Sequence, residues 1–222
     1  MVDKYPIKEN SVITATAYKD FDKIVELKRI CAEELSKINW NELAEYLLAQ
    51  PKDPVKNDAP AWMIHWCNGD QGPVAVEDSE NERRQDIPVL PDGLSTWLFL
   101  NFVDHNQPKH TDSPRINSAF KNTIEYINQL SGILHVSLHF IGSGFLIPTH
   151  TDPSGIYSMI LTFKISKNDP ENVKIYIGNK ESNFKDQEYF MFVPEIEHSV
   201  LNDSDSDWIN LVLRIYKTEF AN

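Results

Sequence analysis

The stretch ILHVSLHFIGSGFLIPTHTDPSGIYSMILTFKI, at residues 133–165, decides the fold that we predict. It contains three apolar runs of strand length, at 133–141, 144–150 and 156–165. The short segments between these runs contain glycine, proline, serine and aspartate, which are typical turn residues. The pattern predicts consecutive short β-strands joined by turns.

Five more runs of the same kind lie elsewhere in the chain. Eight strand-like runs separated by Gly, Pro, Asn and Asp turns are typical of a β-sandwich or a double-sheet barrel. The additional runs are TWLFLNFV, VKIYIG, EYFMFV, HSVL and WINLVLRIY.

Two segments show helical periodicity. Residues 20–50 place apolar side chains three and four positions apart with Glu and Lys between them, which predicts a helix. A second helix is predicted at 114–130, with Ser113 as its N-cap. We divide the chain into a helical and loop-rich N-terminal elaboration at 1–93, which packs on the barrel, and a barrel core at 94–222. Together they are predicted to form one structural domain.

The composition argues against several kinds of partner. The 222 residues carry a formal net charge of −12 and a pI near 5.0, whereas surfaces for nucleic acid or anionic membranes need clustered Lys and Arg. No signal-peptide core and no run of the ~18 apolar residues that span a membrane is found. Cys31 and Cys67 are interpreted as free thiols. We expect a cytoplasmic protein with a small-molecule substrate, no nucleic-acid partner and no membrane association, of undetermined oligomeric state.

The tripeptide His-Thr-Asp occurs twice, and its two copies have different contexts. His110–Asp112 lies in a polar loop before the predicted helix, where Asp112 and Ser113 suit the helix N-terminus. His150–Asp152 follows an apolar strand, and alternation puts both side chains on one side of an extended segment. His198, which begins a strand after a Pro-containing turn, is predicted to be the third member of this second group.

Two imidazoles and one carboxylate are the facial triad of non-haem Fe(II) oxygenases. Three octahedral positions stay open, so the iron can hold a chelating co-substrate at two of them and admit O₂ at the third. Cysteine ligands would favour zinc or a cluster instead, and neither cysteine is near the motif. We therefore predict that His150, Asp152 and His198 bind Fe(II) and form the catalytic centre.

The region from Ile133 to Tyr216 resembles the catalytic domain of the aspartyl/asparaginyl β-hydroxylase-like branch of 2-oxoglutarate oxygenases, which includes small bacterial proline and amino-acid hydroxylases. The matching segments are IGSGFLIPTHTD, FVPEIEHSVLNDS and WINLVLRIY, with the helix SAFKNTIEYINQL matching more loosely. The resemblance implies a mainly β fold with α, a double-stranded β-helix (jelly-roll, cupin-like barrel) preceded and flanked by helices. It also implies an Fe(II)- and 2-oxoglutarate-dependent hydroxylase that uses O₂ on a small polar substrate, a free amino acid or a derivative of one.

The chain departs from the family pattern at two places. The strand YSMILTFKI lacks the Arg-x-His that the family often carries after the proximal ligands. The family's basic residue about ten positions after the distal histidine falls at Trp208. Asp152 agrees with the bacterial members. Because halogenases of this chemistry replace that carboxylate with a small residue to make room for chloride, Asp152 predicts hydroxylation.

The distal carboxylate of 2-oxoglutarate needs a cation or several donors inside the barrel. Arg214 is the only arginine after Arg115, and it shares a face of the last strand with Asn210. We predict that Arg214 binds this carboxylate, with Ser137 and His139 as helpers.

Other polar residues have less specific interpretations. His135, Ser137 and His139 share one strand face, which is either the polar wall of the pocket or a face exposed to solvent. His65 is interpreted as a packed, hydrogen-bonded histidine. Candidate anchors for a substrate carboxylate are Arg83, Arg84 and Arg115.

Two other functions remain compatible with the sequence. One is a cupin-like metalloenzyme, a dioxygenase or an isomerase, that does not use 2-oxoglutarate. The other is a non-catalytic β-barrel that serves as a binding module, in which the His-Thr-Asp segment only forms a turn.

Overall fold

The computed structural model describes residues 12–39, 62–67, 73–75, 96–105, 114–185 and 188–220. Three α-helices lie in these ranges: α1 (Phe21–Leu35), α2 (Pro114–Ala119) and α3 (Lys121–Ile127). Short 3-10 helices occupy Ala15–Ala17, Pro170–Asn172 and Lys217–Glu219. The strands are β1 (Val12–Ile13), β2 (Trp62–Cys67), β3 (Pro73–Ala75), β4 (Thr96–Asp104), β5 (Ile133–Ile141), β6 (Phe145–His150), β7 (Ile156–Lys164), β8 (Val173–Ile177), β9 (Lys180–Asn183), β10 (Tyr189–Phe192), β11 (His198–Asn202) and β12 (Trp208–Tyr216).

The strands form two antiparallel sheets that pack face to face as a double-stranded β-helix. The large sheet has the order β1-β10-β7-β12-β5-β4-β2-β3, and the small sheet has the order β6-β11-β8-β9. Apolar side chains from both sheets fill the space between them, including Phe145 and Val200 from the small sheet and Ile160, Phe190 and Trp208 from the large one. The predicted jelly roll is confirmed, and each of the eight predicted runs is a strand.

The helices cover the other face of the large sheet. Ile24 and Leu27 of α1, with Phe120 between α2 and α3, pack in one cluster with Leu138 of β5 and Leu213 of β12. Because both faces of the large sheet are covered, seven of the nine residues of its central strand β5 are buried.

Helix α1 ends earlier than the sequence predicted. The prediction extended the helix over 20–50, but the chain turns after Leu35, and Ser36 donates its hydroxyl to the carbonyl oxygen of Glu33 at 2.8 Å. Such side chain to backbone bonds compete with the helix near its end. The predicted continuation at 40–50 lies outside the described residues.

The helix predicted at 114–130 is two helices that meet at Phe120. The buried carboxylate of Glu34 accepts hydrogen bonds from the backbone N–H groups of Asn122 and Thr123 at 2.9 and 3.0 Å and from the Thr123 hydroxyl at 2.6 Å. A carboxylate on the first N–H groups of a helix stabilises a helix start there. The predicted N-cap Ser113 lies outside the described residues.

Strands from the N-terminal part of the chain extend the large sheet at both edges. β1 pairs with β10, whereas β2 pairs with β4 and β3 pairs with β2. Within the N-terminal part that was predicted to be helical and loop-rich, residues 62–67 form strand β2. The division at residue 93 stays a prediction. Among the described residues, no helix has the length and apolar character needed to span a membrane.

Candidate metal centre

The two candidate histidine ligands lie on neighbouring strands of the small sheet. His150 is the last residue of β6 and His198 is the first residue of β11, and their Cα atoms are direct partners in the antiparallel pair. Their ring centroids are 4.3 Å apart. The tight turn before β6 is closed by the Phe145 N–H, which donates to the carbonyl oxygen of Gly142 at 3.2 Å. Gly144 in this turn has a φ of 73°, which favours glycine. Strand pairing thus joins ligands that are far apart in sequence.

A backbone carbonyl fixes the tautomer of each imidazole. His150 Nδ1 lies 2.8 Å from the carbonyl oxygen of Pro148, and His198 Nδ1 lies 2.9 Å from that of Ile196. A carbonyl oxygen only accepts, so Nδ1 must carry the proton in both rings. Nε2 of each ring is then the atom with a free lone pair, which is the form that binds a metal.

The loop that carries Asp152 is held by hydrogen bonds from its backbone to two neighbouring segments. The Asp152 N–H donates to the carbonyl oxygen of Pro194 at 2.9 Å, and the Gly155 N–H donates to Oε1 of Glu195 at 2.9 Å. Lys217 donates its backbone N–H to the Gly155 carbonyl oxygen at 3.0 Å. Gly155 has a φ of 84°, so the reversal after the ligand pair depends on glycine. These bonds hold the carboxylate beside the two imidazoles.

His150, Asp152 and His198 form the only group of three potential metal ligands found among the described residues, and their ligand atoms all lie within 4.8 Å of one another. His198 Nε2 is 4.0 Å from Asp152 Oδ2. Burial lowers the pKa of His198, and the neighbouring His150 adds to this effect. The neutral imidazole is favoured, so the residues present fit the ligand set of a mononuclear Fe(II) site.

Arg214 lies beside the metal ligands rather than deep in the barrel. Its Nη2 donates to Asp152 Oδ1 at 2.8 Å, and the Asp152 side chain is only 14% exposed. The other oxygen of Asp152 faces His198. The guanidinium therefore orients the Asp152 carboxylate, a candidate metal ligand, and the assignment of Arg214 to the 2-oxoglutarate carboxylate stays a prediction.

The inner face of β5 is a polar wall between the sheets. Ser137 is 2% exposed, and its Oγ is 2.6 Å from Nε2 of His139, so the alternative of a solvent-exposed strand face is wrong. His135 Nδ1 is 3.5 Å from Oδ2 of Asp104. Burial lowers the pKa of His135 to about 4, and the positive charge of Arg214 acts in the same direction.

Trp208 occupies the position that holds a basic residue in the family pattern. It is 1% exposed, packs on Phe184 with ring centroids 4.4 Å apart, and donates its indole N–H to Oγ1 of Thr162 at 3.4 Å. An indole carries no charge, so Trp208 cannot form an ion pair with a carboxylate. It forms an apolar floor at the deep end of the barrel.

Three buried polar residues were not identified as site residues from the sequence. Asn101, Ser158 and Asn210 face the space between the sheets, and within the described part of the chain Asn101 Oδ1, Ser158 Oγ and Asn210 Nδ2 have no hydrogen-bond partner. Ser158 is the strand partner of Arg214, and Asn101 is the strand partner of Ser137. The available signal was a polar residue with apolar neighbours on both sides along the strand, at a position whose side chain faces inward.

Among the remaining predicted residues, the one with a described side chain, Arg115, lies away from the triad. Arg115 is an exposed residue of α2, which lies on the helical layer at the opposite face of the large sheet. His110–Asp112 lies outside the described residues, as do Arg83 and Arg84. The backbone of His65 is in β2, but its side chain is outside the described part of the chain.

Several solved structures share features of this barrel. YcfD, a ribosomal oxygenase from Escherichia coli, is 11% identical and aligns with a TM-score of 0.45 over 80% of this chain and 43% of its own. A predicted oxalate decarboxylase from Thermotoga maritima is 11% identical over 55% of this chain and 81% of its own, with a TM-score of 0.36. The protein TT1209 from Thermus thermophilus is 17% identical over 39% of this chain and 76% of its own, with a TM-score of 0.31.

Of two comparisons of the sequence with known proteins, one matches most of the barrel. No curated protein sequence matches the chain. The family model described as aspartyl/asparaginyl beta-hydroxylase matches residues 71–218, a range that contains all three candidate metal ligands and the strands that carry them. The chain belongs to the aspartyl/asparaginyl beta-hydroxylase family.

Proposed function

We propose that the protein is an Fe(II)- and 2-oxoglutarate-dependent hydroxylase of a small polar substrate, a free amino acid or an amino-acid derivative. The observation that carries the proposal is the convergence of His150, Asp152 and His198, with both imidazoles held so that Nε2 is available. Family membership supports hydroxylation as the reaction type. The substrate class rests on the resemblance to small bacterial amino-acid hydroxylases.

The residues around the triad have distinct tasks in this reaction. Iron held by His150, Asp152 and His198 would supply the activation of O₂, with one oxygen atom entering a C–H bond of the substrate and the other entering the succinate that forms as 2-oxoglutarate loses CO₂. Arg214 holds the Asp152 carboxylate in place. Phe192 packs edge-on against the ring of His198, with the ring centroids 4.9 Å apart, and shields this imidazole from water. The proposed contacts of 2-oxoglutarate in the barrel include Ser137 and His139.

The test measures whether 2-oxoglutarate is consumed at this centre. Purified protein with Fe(II), O₂ and 2-oxoglutarate is expected to release succinate, and His198→Ala is expected to release none above the metal-only background. A screen of free amino acids by mass spectrometry should then find a product that has gained one oxygen atom. Metal binding without any succinate release would contradict the proposal and favour a cupin-like enzyme that does not use 2-oxoglutarate.

A further inference from the structure

A buried amide without a partner faces the interior of the barrel. Asn210 is 1% exposed, and its Nδ2 has no acceptor among the described residues. Its strand partners are His139 on β5 and Thr162 on β7. Because an unpaired buried N–H group is costly, and because native proteins pair almost all such groups, a polar group that is absent from the structure is expected to bind here.

Contacts at the two ends of the barrel show how far inside it Asn210 lies. At the deep end, the side chain of Asn202 donates to the carbonyl oxygen of Ile141 at 2.8 Å, and Ile141 is the strand partner of Trp208. At the mouth, Arg214 reaches the metal ligands. Asn210 lies on β12 between these two levels and points to the same face as both.

The spacing along β12 places Asn210 deeper in the barrel than Arg214. Successive inward-facing residues on a strand are about 6.6 Å apart, given a rise of ~3.3 Å per residue. Asn210 is therefore two such steps below Arg214 and one step above the Trp208 floor. The Ser137–His139 pair borders the same interval on the neighbouring strand.

We propose that Asn210 and the Ser137–His139 pair receive the distal carboxylate of 2-oxoglutarate, while Arg214 serves the metal ligand Asp152. This inference rests on the proposed function. The guanidinium of Arg214 lies at the mouth and already binds a carboxylate, and the family's basic position is the uncharged Trp208. An amide N–H, a hydroxyl and an imidazole can together satisfy a carboxylate, which is acceptor-only and takes several bonds.

The test is anaerobic calorimetry, which reports binding without turnover. Mn(II)-loaded protein is titrated with 2-oxoglutarate in the wild type, in Asn210→Ala and in Asn210→Asp, with the exposed Asn128→Asp as the matched control. The Ala variant should bind about 10- to 100-fold more weakly, the range for losing a hydrogen bond to a charged group. The Asp variant should bind more weakly still, because two carboxylates then face each other. Mn(II) affinity and the control should be unchanged.

A second set of ligands makes the test independent of any folding defect in one variant. 2-Oxobutyrate lacks the distal carboxylate, so its affinity should be the same in the wild type and in Asn210→Ala. 2-Oxoadipate is one carbon longer, and the Trp208 floor should weaken its binding to the wild type.

Specific outcomes overturn the inference. Equal 2-oxoglutarate affinity in the wild type and Asn210→Asp would overturn it and leave the proposed function intact. Loss of 2-oxoglutarate binding in Arg214→Ala with unchanged Mn(II) affinity would show that Arg214, and not Asn210, binds the distal carboxylate. If the Mn(II)-loaded wild type binds no 2-oxoglutarate at all, the proposed function fails together with the inference.

Discussion

Replacing His198 with alanine removes a candidate metal ligand that is 4% exposed and oriented by the Ile196 carbonyl. The remaining pair, His150 and Asp152, would then hold the metal alone. Changes to residues that only support a ligand cost roughly 10- to 100-fold in metal affinity, so loss of a ligand is expected to cost at least about 100-fold. Because this side chain belongs to the small sheet and the helices pack on the large one, the fold should tolerate the change.

The expected effect can be expressed as a melting temperature. With metal at about 100 times the wild-type Kd, binding raises the free energy of unfolding by about 2.7 kcal/mol. For a chain of this size, 1 kcal/mol corresponds to roughly 2–4 °C, so the wild-type Tm should rise by about 5–11 °C. For His198→Ala the same metal concentration is at most near Kd, and the rise should be about 1 °C.

The assay is thermal unfolding of the apo-proteins with and without Fe(II) or Mn(II) under anaerobic conditions. His150→Ala should behave like His198→Ala. Two controls should keep the full rise in Tm: His105→Ala, which changes an exposed histidine, and His110→Ala, which changes the other His-Thr-Asp copy. If His110→Ala loses the rise, or His198→Ala keeps it, the assignment of the metal centre is wrong.

Three further predictions follow from particular side chains. Glu34→Ala should lower the free energy of unfolding, measured by urea denaturation, by about 2–4 kcal/mol, because the buried Thr123 donors are left unpaired. A loss below about 0.5 kcal/mol would contradict this prediction. Burial raises the pKa of Cys31 from 9.0 to about 12, so the contribution of its neutral thiol to stability is present below pH 9 and is lost as the pH rises toward 12. Urea unfolding should therefore show a steeper loss of stability above pH 9 in the wild type than in Cys31→Ala. Equal dependence of stability on pH in the two proteins would refute this prediction. The product of the wild type in chloride buffer should gain oxygen and no chlorine by mass spectrometry, whereas Asp152→Gly is the variant in which chlorination should be sought.

The strands of the barrel could be predicted from the sequence because their signal is local. Apolar runs bounded by turn residues reflect the burial of each strand, and all eight runs predicted from this pattern are strands. The choice between the two His-Thr-Asp copies also used local context, since His150–Asp152 follows a strand. The side chains that the structure brings together at the metal centre are the three that this context predicted.

Contacts between distant segments were not predictable in this way. The split at Phe120 depends on Glu34, a residue of another helix. The short strands β1, β2, β3 and β9 have little pattern of their own and exist because an edge of a sheet is available for pairing.

Local patterns were enough to predict the fold class and the three candidate metal ligands, because alternation, turn chemistry and residue type act over a few positions. The partners of the polar groups inside the barrel depend instead on contacts between distant segments. Arg214 meets Asp152 across 62 residues, and the Asn210 amide N–H beside His139 finds no acceptor in the part of the chain that the structure describes. The register between strands and the packing of two sheets set these distances, and neither is encoded in any single segment of the chain.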